Sequence, residues 1–328
     1  MLFAGASEID ITPPPGVEMA GHENEAGGER IAQAVLDPLH ASALVLNDRH
    51  KACVLCAVDL FGVTRVLAES LRRRLEGEYF LHLTPEQVLL AATRTLSAPA
   101  LTRENTLNRV WLAEFEDRLV RVIYEAIANR RPARAGAARG IVHGLGLEGH
   151  NPETGPADPA LLLFRVEDAG TGKPLALVVN HALASCSFGL ENRRISADFP
   201  GALRRFVQEK TEGRPAVLVL TGACGEIHAG GFRAGGDAPR ETAGDRASKQ
   251  IEETGRLLGE EALRLSREAR TSGNVMIHAA VKTVRLPLKT RPTTTEAAEL
   301  VRQGEARLLE LENKGAEKAA LETARQKL

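Results

Sequence analysis

Two apolar periods are interleaved along this chain: uninterrupted or alternating runs, which predict strands, and apolar residues recurring every three or four positions, which predict helices. Residues 3–12 alternate until Pro13, Pro14 and Pro15 stop them, and Ala41 to Leu46 and Cys53 to Leu60 follow as two strands around the polar turn Asn47-Asp48-Arg49-His50. Val63, Val66, Leu67, Leu71 and Leu75 mark one helix face, and Thr84-Pro85-Glu86-Gln87 reads as a capped turn before the apolar run from Val88. A long helix is predicted from Asn108 to Asn129, with the lone Trp111 on its core face. Strands are expected at Ala137 to Gly144, Leu161 to Val166, Leu175 to Ala182, Ala216 to Leu220 and Val275 to Leu286. Helices are expected after the capping residue Asp198, from Asp245 to Ala269, and from a second capping box at Thr293 to Glu296 until Gly315. Strands and helices alternate without an internal repeat, so an α/β fold with a mixed sheet flanked by helices is predicted.

Composition narrows the function classes. The 328 residues carry 42 basic and 43 acidic side chains, a net charge of -1, and only 4% aromatics, which argues against nucleic acid as a partner. No apolar run approaches the roughly 20 residues that span a bilayer. The start Met1 to Ala6 lacks a basic region ahead of its short apolar stretch, so a soluble, cytoplasmic chain is expected. Cys53, Cys56, Cys186 and Cys224 are too scattered for a disulfide framework. On a strand, Cys53 and Cys56 fall on opposite faces and read as buried structural thiols.

Three apolar runs end abruptly in small and hydroxylated residues, at Thr93, at Asn180 and at Thr221. α/β proteins build their sites at such strand exits. The first exit, Thr93-Arg94-Thr95-Leu96-Ser97-Ala98-Pro99, offers one cation, three hydroxyls and no general base. The second holds His181 and Cys186; the third runs Cys224-Gly225-Glu226-Ile227-His228. Glu226 and His228 could serve as an orienting carboxylate and its base, and His181 lies on a neighbouring loop. The glycine-rich stretch Ala229 to Gly244 lacks the lysine and frame of a phosphate-binding loop and reads as a flexible cover or an irregular surface excursion. Asp10, Asp37, Asp59 and Asp198 stand at strand ends, turns and caps, where carboxylates accept open backbone hydrogen bonds. His22, His40, His143, His150 and His278 are isolated in sequence and read as surface or satisfied histidines.

Several stretches resemble the neutral/alkaline, non-lysosomal ceramidase family: Ala4 to Pro14, Met19-Ala20-Gly21, Asp37-Pro38-Leu39-His40-Ala41 and Ile195-Ser196-Ala197-Asp198-Phe199-Pro200-Gly201. The similarity runs from about residue 3 to residue 300 in matching order. It implies a ceramidase-like catalytic-domain framework and a zinc-dependent amidase that cleaves the N-acyl bond of ceramide. The family's first site loop reads Thr-His-Thr-His-Ser-Gly-Pro, and the positions of its two histidines are Arg94 and Leu96 in this sequence. The second reads Asn-Tyr-Ala-Cys-His-Pro, with its zinc histidine at Ala184; the catalytic serine of the third corresponds to His228. The family's remaining ligands, a glutamate and a tyrosine, belong to a carboxyl-terminal portion beyond Leu328, to which 291–328 would be a helical lead-in after a domain of residues 1–290.

A guanidinium cannot ligate zinc and would repel it. The resemblance therefore implies a ceramidase-like hydrolase framework without zinc and without ceramide cleavage. Arg94 either succeeds the metal as the cation that binds a carboxylate or phosphate, with His181 beside it, or pairs inertly with Asp59 or Asp198. The competing readings are a noncatalytic protein binding an anionic or lipid-like small molecule, a metal-independent hydrolase using His228 and Glu226, and a new soft-metal site built from Cys186, Cys224, His181 and His228.

Overall fold

In the computed structural model, which describes residues 1–21, 30–79, 83–102, 104–145, 147–148, 158–189, 191–225, 227–228, 240–287 and 292–313, the chain divides into two units, Met1–Val281 and Lys282–Leu328. In the first, β1 (Leu2–Asp10), β2 (Ala34–Val35), β3 (His40–Asn47), β4 (Ala52–Val58), α1 (Arg65–Tyr79), β5 (Val88–Ala92), α2 (Thr106–Ala128) and β6 (Arg131–Ile141) come first. Then follow β7 (Leu147–Glu148), β8 (Ala160–Asp168), β9 (Pro174–His181), β10 (Arg194–Ile195), α3 (Phe199–Lys210), β11 (Ala216–Thr221), β12 (Ile227–His228) and α4 (Arg240–Glu268). The second unit holds α5 (Thr294–Asn313), where the side chain of Glu296 accepts from the Thr293 amide at 2.7 Å and the Glu296 amide donates to Thr293 Oγ1 at 3.3 Å, as its capping box predicts.

Eight strands form one mixed sheet in the order β11-β9-β8-β6-β1-β3-β4-β5. Its pairs are antiparallel except at the two ends, where β4 with β5 and β9 with β11 run parallel. The sheet doubles back on itself, so that the edge strand β11 lies against β3, β4 and β5. Burial on both faces explains why the strands read as near-continuous apolar runs. On β3, Ala41, Ala43 and Val45 pack in the cluster that includes α1 and α2, while Leu44 and Leu46 join the cluster between the two sheet halves. On β9 and β11, Leu177, Val179, Val217 and Val219 pack with α3 and α4, while Ala176, Val178, Ala216 and Leu218 face inward. Cys56 belongs to the helix-side cluster and Cys53 to the inner one, the opposite-face arrangement that their spacing predicts.

Trp111 is core, stacked on Phe115 with ring centroids 5.0 Å apart, its indole N–H donating to the Ile11 carbonyl at 2.9 Å. α2 begins two residues before the predicted start because Asn105 caps it, accepting from the amides of Leu107 and Asn108. Its far end presses on β1: a Cβ at Gly5 would stand 2.0 Å from the Ala126 carbonyl oxygen and 2.8 Å from the Arg130 nitrogen. Both obstacles are backbone. Gly5→Ala is therefore expected to lose about 1–3 kcal/mol in urea unfolding, and an unchanged midpoint would contradict this close approach.

Two expectations are corrected. Val66 is exposed rather than on the buried face of α1, which instead turns Leu67, Leu71 and Leu75 inward. Val275 to Leu286 forms no strand: the Ile277 amide donates to the Asp48 carboxylate at 2.8 Å, and Val281, Val284 and Leu286 are exposed. Alternation supplies a side-chain pattern, but a strand also needs a neighbour's backbone groups. Arg240 to Gly244 of the expected glycine-rich loop belong to α4, whereas 229–239, like Gly315, His22 and His150, lie outside the described residues.

Candidate functional site

The exits of β5, β9 and β11 meet at one place. The Thr93 carbonyl accepts from Ser185 Oγ at 2.7 Å and from Thr221 Oγ1 at 3.2 Å, so one backbone oxygen ties all three loops together. Further ties are Leu96 N to Ser185 O at 3.1 Å, Gly222 N to His181 O at 2.9 Å and Ala184 N to Ile227 O at 2.9 Å. Both parallel pairs end here, at the carboxyl side where α/β sheets leave room for ligands.

The same knot extends toward α3. Thr95 Oγ1 donates to the Ser196 carbonyl at 2.8 Å, and the Ser196 amide donates to the Ser97 carbonyl at 2.9 Å. Asp37 accepts from Ser196 Oγ at 2.5 Å and from the Ala197 amide at 2.8 Å. Asp198 caps α3 as expected, accepting from the Phe199 amide, and also accepts from the amide and hydroxyl of Ser187. Its backbone sits at φ 60 and ψ -156, on the left-handed side of backbone space in a region nearly confined to glycine, which costs a non-glycine residue about 1–3 kcal/mol. Burial pushes the Asp198 carboxyl up to about 6, against hydrogen bonds from Ser187 and Phe199 that favour its charge.

Arg94 is exposed and also left-handed, at φ 64, with its guanidinium carbon 5.7 Å from the ring centroid of half-exposed Phe61. Neither carboxylate named as its inert partner is engaged with it. Asp59 binds Arg204 at 2.6 Å and Asp198 binds Ser187, and among the described residues no carboxylate forms an ion pair with Arg94. Thr93, immediately before it, is buried, and its hydroxyl has no hydrogen-bond partner.

His181 is brought to this junction by its backbone, but the residue is only 6% exposed, with Nδ1 2.9 Å from the Ala160 carbonyl oxygen. Cys186 and Cys224 are buried and unbridged. Burial pushes the Cys186 thiol up to about 12, helped by neighbouring Asp198 and Cys224 and opposed by Arg94. Such a thiol stays protonated and is a poor nucleophile. Glu226 and the side chain of His228 lie outside the described residues; His228 pairs through its backbone with Leu147.

Sequence reasoning missed Arg204. This arginine of α3 reaches between the sheet halves, Nη2 2.6 Å from Asp59 Oδ2, Nε 3.3 Å from Glu8 Oε1 and Nη1 3.1 Å from His40 Nδ1. Arginine only donates, so His40 Nδ1 is the acceptor and its proton lies on Nε2. Burial and Arg204 both lower the His40 pKa, and burial raises that of Glu8 despite Arg204, Ser42 and Gln208 beside it. The available signal was a charge, Glu8, in the inward register of Ala4 and Ala6, and an arginine among the apolar positions Ala202, Leu203 and Val207 of a helix.

Solved structures share this architecture. The neutral ceramidase of Pseudomonas aeruginosa matches with a TM-score of 0.69 over 81% of this chain and 45% of its own, at 20% identity. A ceramidase complexed with C2 matches with a TM-score of 0.67 over 81% of this chain and 44% of its own, at 18% identity. The chain has the ceramidase fold. It spans a little under half the length of these ceramidases. No protein-family model and no curated protein matches the sequence.

For this ceramidase-like domain, the zinc implied by the sequence resemblance can be tested against the donors present. Arg94 and Ala184, at the implied histidine positions, have no lone pair to offer a metal. Among the described residues no three His, Cys, Asp or Glu side chains are grouped to hold one, so His181, Cys186 and Cys224 do not form the core of a soft-metal site. The described residues do not fit zinc at this junction. Among them, too, no helix is long and apolar enough to cross a membrane.

Proposed function

We propose that this ceramidase-like domain binds an anionic small molecule at Arg94 and does not perform zinc-dependent amide hydrolysis. One observation carries the reading: at the junction of three strand exits, an exposed guanidinium is held in a left-handed conformation over Phe61 and pairs with no described carboxylate. A cation placed there meets a carboxylate or phosphate with charge-assisted hydrogen bonds. The Phe61 ring offers an apolar surface to the remainder of such a ligand. The hydroxyls of Ser185 and Thr221 are turned into the Thr93 carbonyl, so they brace the loop rather than present a nucleophile.

Calorimetric titration with carboxylates, sugar acids and phosphate monoesters tests this. The ligand that binds the unaltered protein is expected to lose about tenfold or more in affinity with Arg94→Ala, as suits a hydrogen bond to a charged group. Equal affinity in the variant would refute the role of Arg94. Zinc-dependent turnover of acyl-amide substrates by the purified chain would refute the loss of amidase chemistry.

A further inference from the structure

Arg30 is 3% exposed, yet no carboxylate forms an ion pair with it among the described residues. Its Nε donates to the Asn192 carbonyl at 2.9 Å, and its Nη1 donates to the Ala20 and Leu96 carbonyls at 2.8 and 2.9 Å. Its Nη2 is buried without a hydrogen-bond partner. Burial pulls the Arg30 pKa down to about 10, the neighbouring Arg193 adds to the shift, and exposed Glu191 opposes it. A guanidinium keeps its proton under such conditions, so the buried charge remains to be met.

We propose that Arg30 is the centre of a structural anion site that takes one compact monovalent anion, such as chloride or a one-carbon carboxylate, on its unpartnered Nη2. Neutral carbonyls hold its other nitrogens in place and do not cancel its charge, whereas an anion supplies both the missing acceptor and the missing charge. The size limit comes from burial, since Arg30 is only 3% exposed; on its Nη1 side the packing is closed by Gly21, at φ 99, where a Cβ would stand 3.5 Å from Arg30 Nη1 and 3.0 Å from Leu96 Cδ2. The anion would stabilise a junction of three segments, because the same guanidinium already joins Ala20, Leu96 and Asn192. Leu96 lies on the loop that presents Arg94. The site is independent of what Arg94 binds.

Thermal unfolding at fixed ionic strength, with sodium chloride or sodium formate replacing sodium isethionate, tests the site. The unaltered protein is expected to gain a saturable rise in Tm of about 3 °C or more at saturating anion. Arg94→Ala is expected to keep that rise and Arg30→Gln to lose it. A flat Tm across the series, or the same rise in Arg30→Gln, overturns the proposal. Should Arg30→Gln fail to fold, the chloride-35 NMR line of the unaltered protein decides: broadening that formate removes supports the site, and an unbroadened line overturns it.

Discussion

Arg204→Met is expected to be the most damaging single change in the domain, lowering stability by about 3–5 kcal/mol. The methionine fills similar volume, so the loss is electrostatic. Asp59 and Glu8, whose side chains are 1% and 16% exposed, would lose the only guanidinium described against them. Asp59 is already under-satisfied, with Oδ1 buried and without a hydrogen-bond partner. Adding Asp59→Asn and Glu8→Gln to the variant should restore a large part of the loss, because neutral side chains need no cation to meet them there. Urea unfolding of the single and triple variants checks both statements; a single variant within about 1 kcal/mol of the parent would mean that water reaches the cluster.

Asp198 sets the second large effect, a dependence on pH. Its carboxyl is raised from 3.8 to about 6 in the folded chain, so between those values the native state binds more protons than the unfolded state. Stability then falls as pH rises through that window and levels off above it. The shift corresponds to a loss of up to about 3 kcal/mol between roughly pH 4 and pH 6. Asp198→Asn removes this titration while leaving that of Asp37 in place. The stability of the parent minus that of Asp198→Asn should therefore shrink as pH rises from about 4 to 6. A difference that is constant, or that grows, would show that Asp198 is not held protonated by its burial.

The strands of this fold were legible because they are buried on both sides, which leaves long apolar runs, and the helices because their apolar residues keep to one face. β6 was legible only in part. Its first half, Arg131 to Gly136, turns only the small Ala133 and Ala135 into the inner cluster and carries Pro132, Arg134 and Gly136 on the other register, so hydrophobicity alone gives little signal until β8 pairs with it. Val275 to Leu286 erred the other way, alternating in sequence without a ladder to join.

At the candidate site, the strand exits announced the junction, since an apolar run that breaks into hydroxyl and small residues has to emerge from a layer. The contacts made there were not legible. Which carboxylate an arginine meets depends on packing between elements far apart in sequence, and Asp59 is claimed by Arg204 rather than by Arg94. Tertiary context likewise turned His181 from a ligand-facing candidate into a ring held against the Ala160 carbonyl.

The Glu8–Arg204–Asp59 cluster also bears on how the chain is made. Asp59 and Arg204 are 145 residues apart. At about 5–20 residues per second, synthesis separates them by roughly 7 to 30 s. During that interval β1, β3 and β4 can emerge and pair, but their inner face carries two carboxylates with no cation to meet them. These three strands are thus kept from closing prematurely on one another or on a neighbouring chain, because the seam between the sheet halves stays wet until α3 arrives.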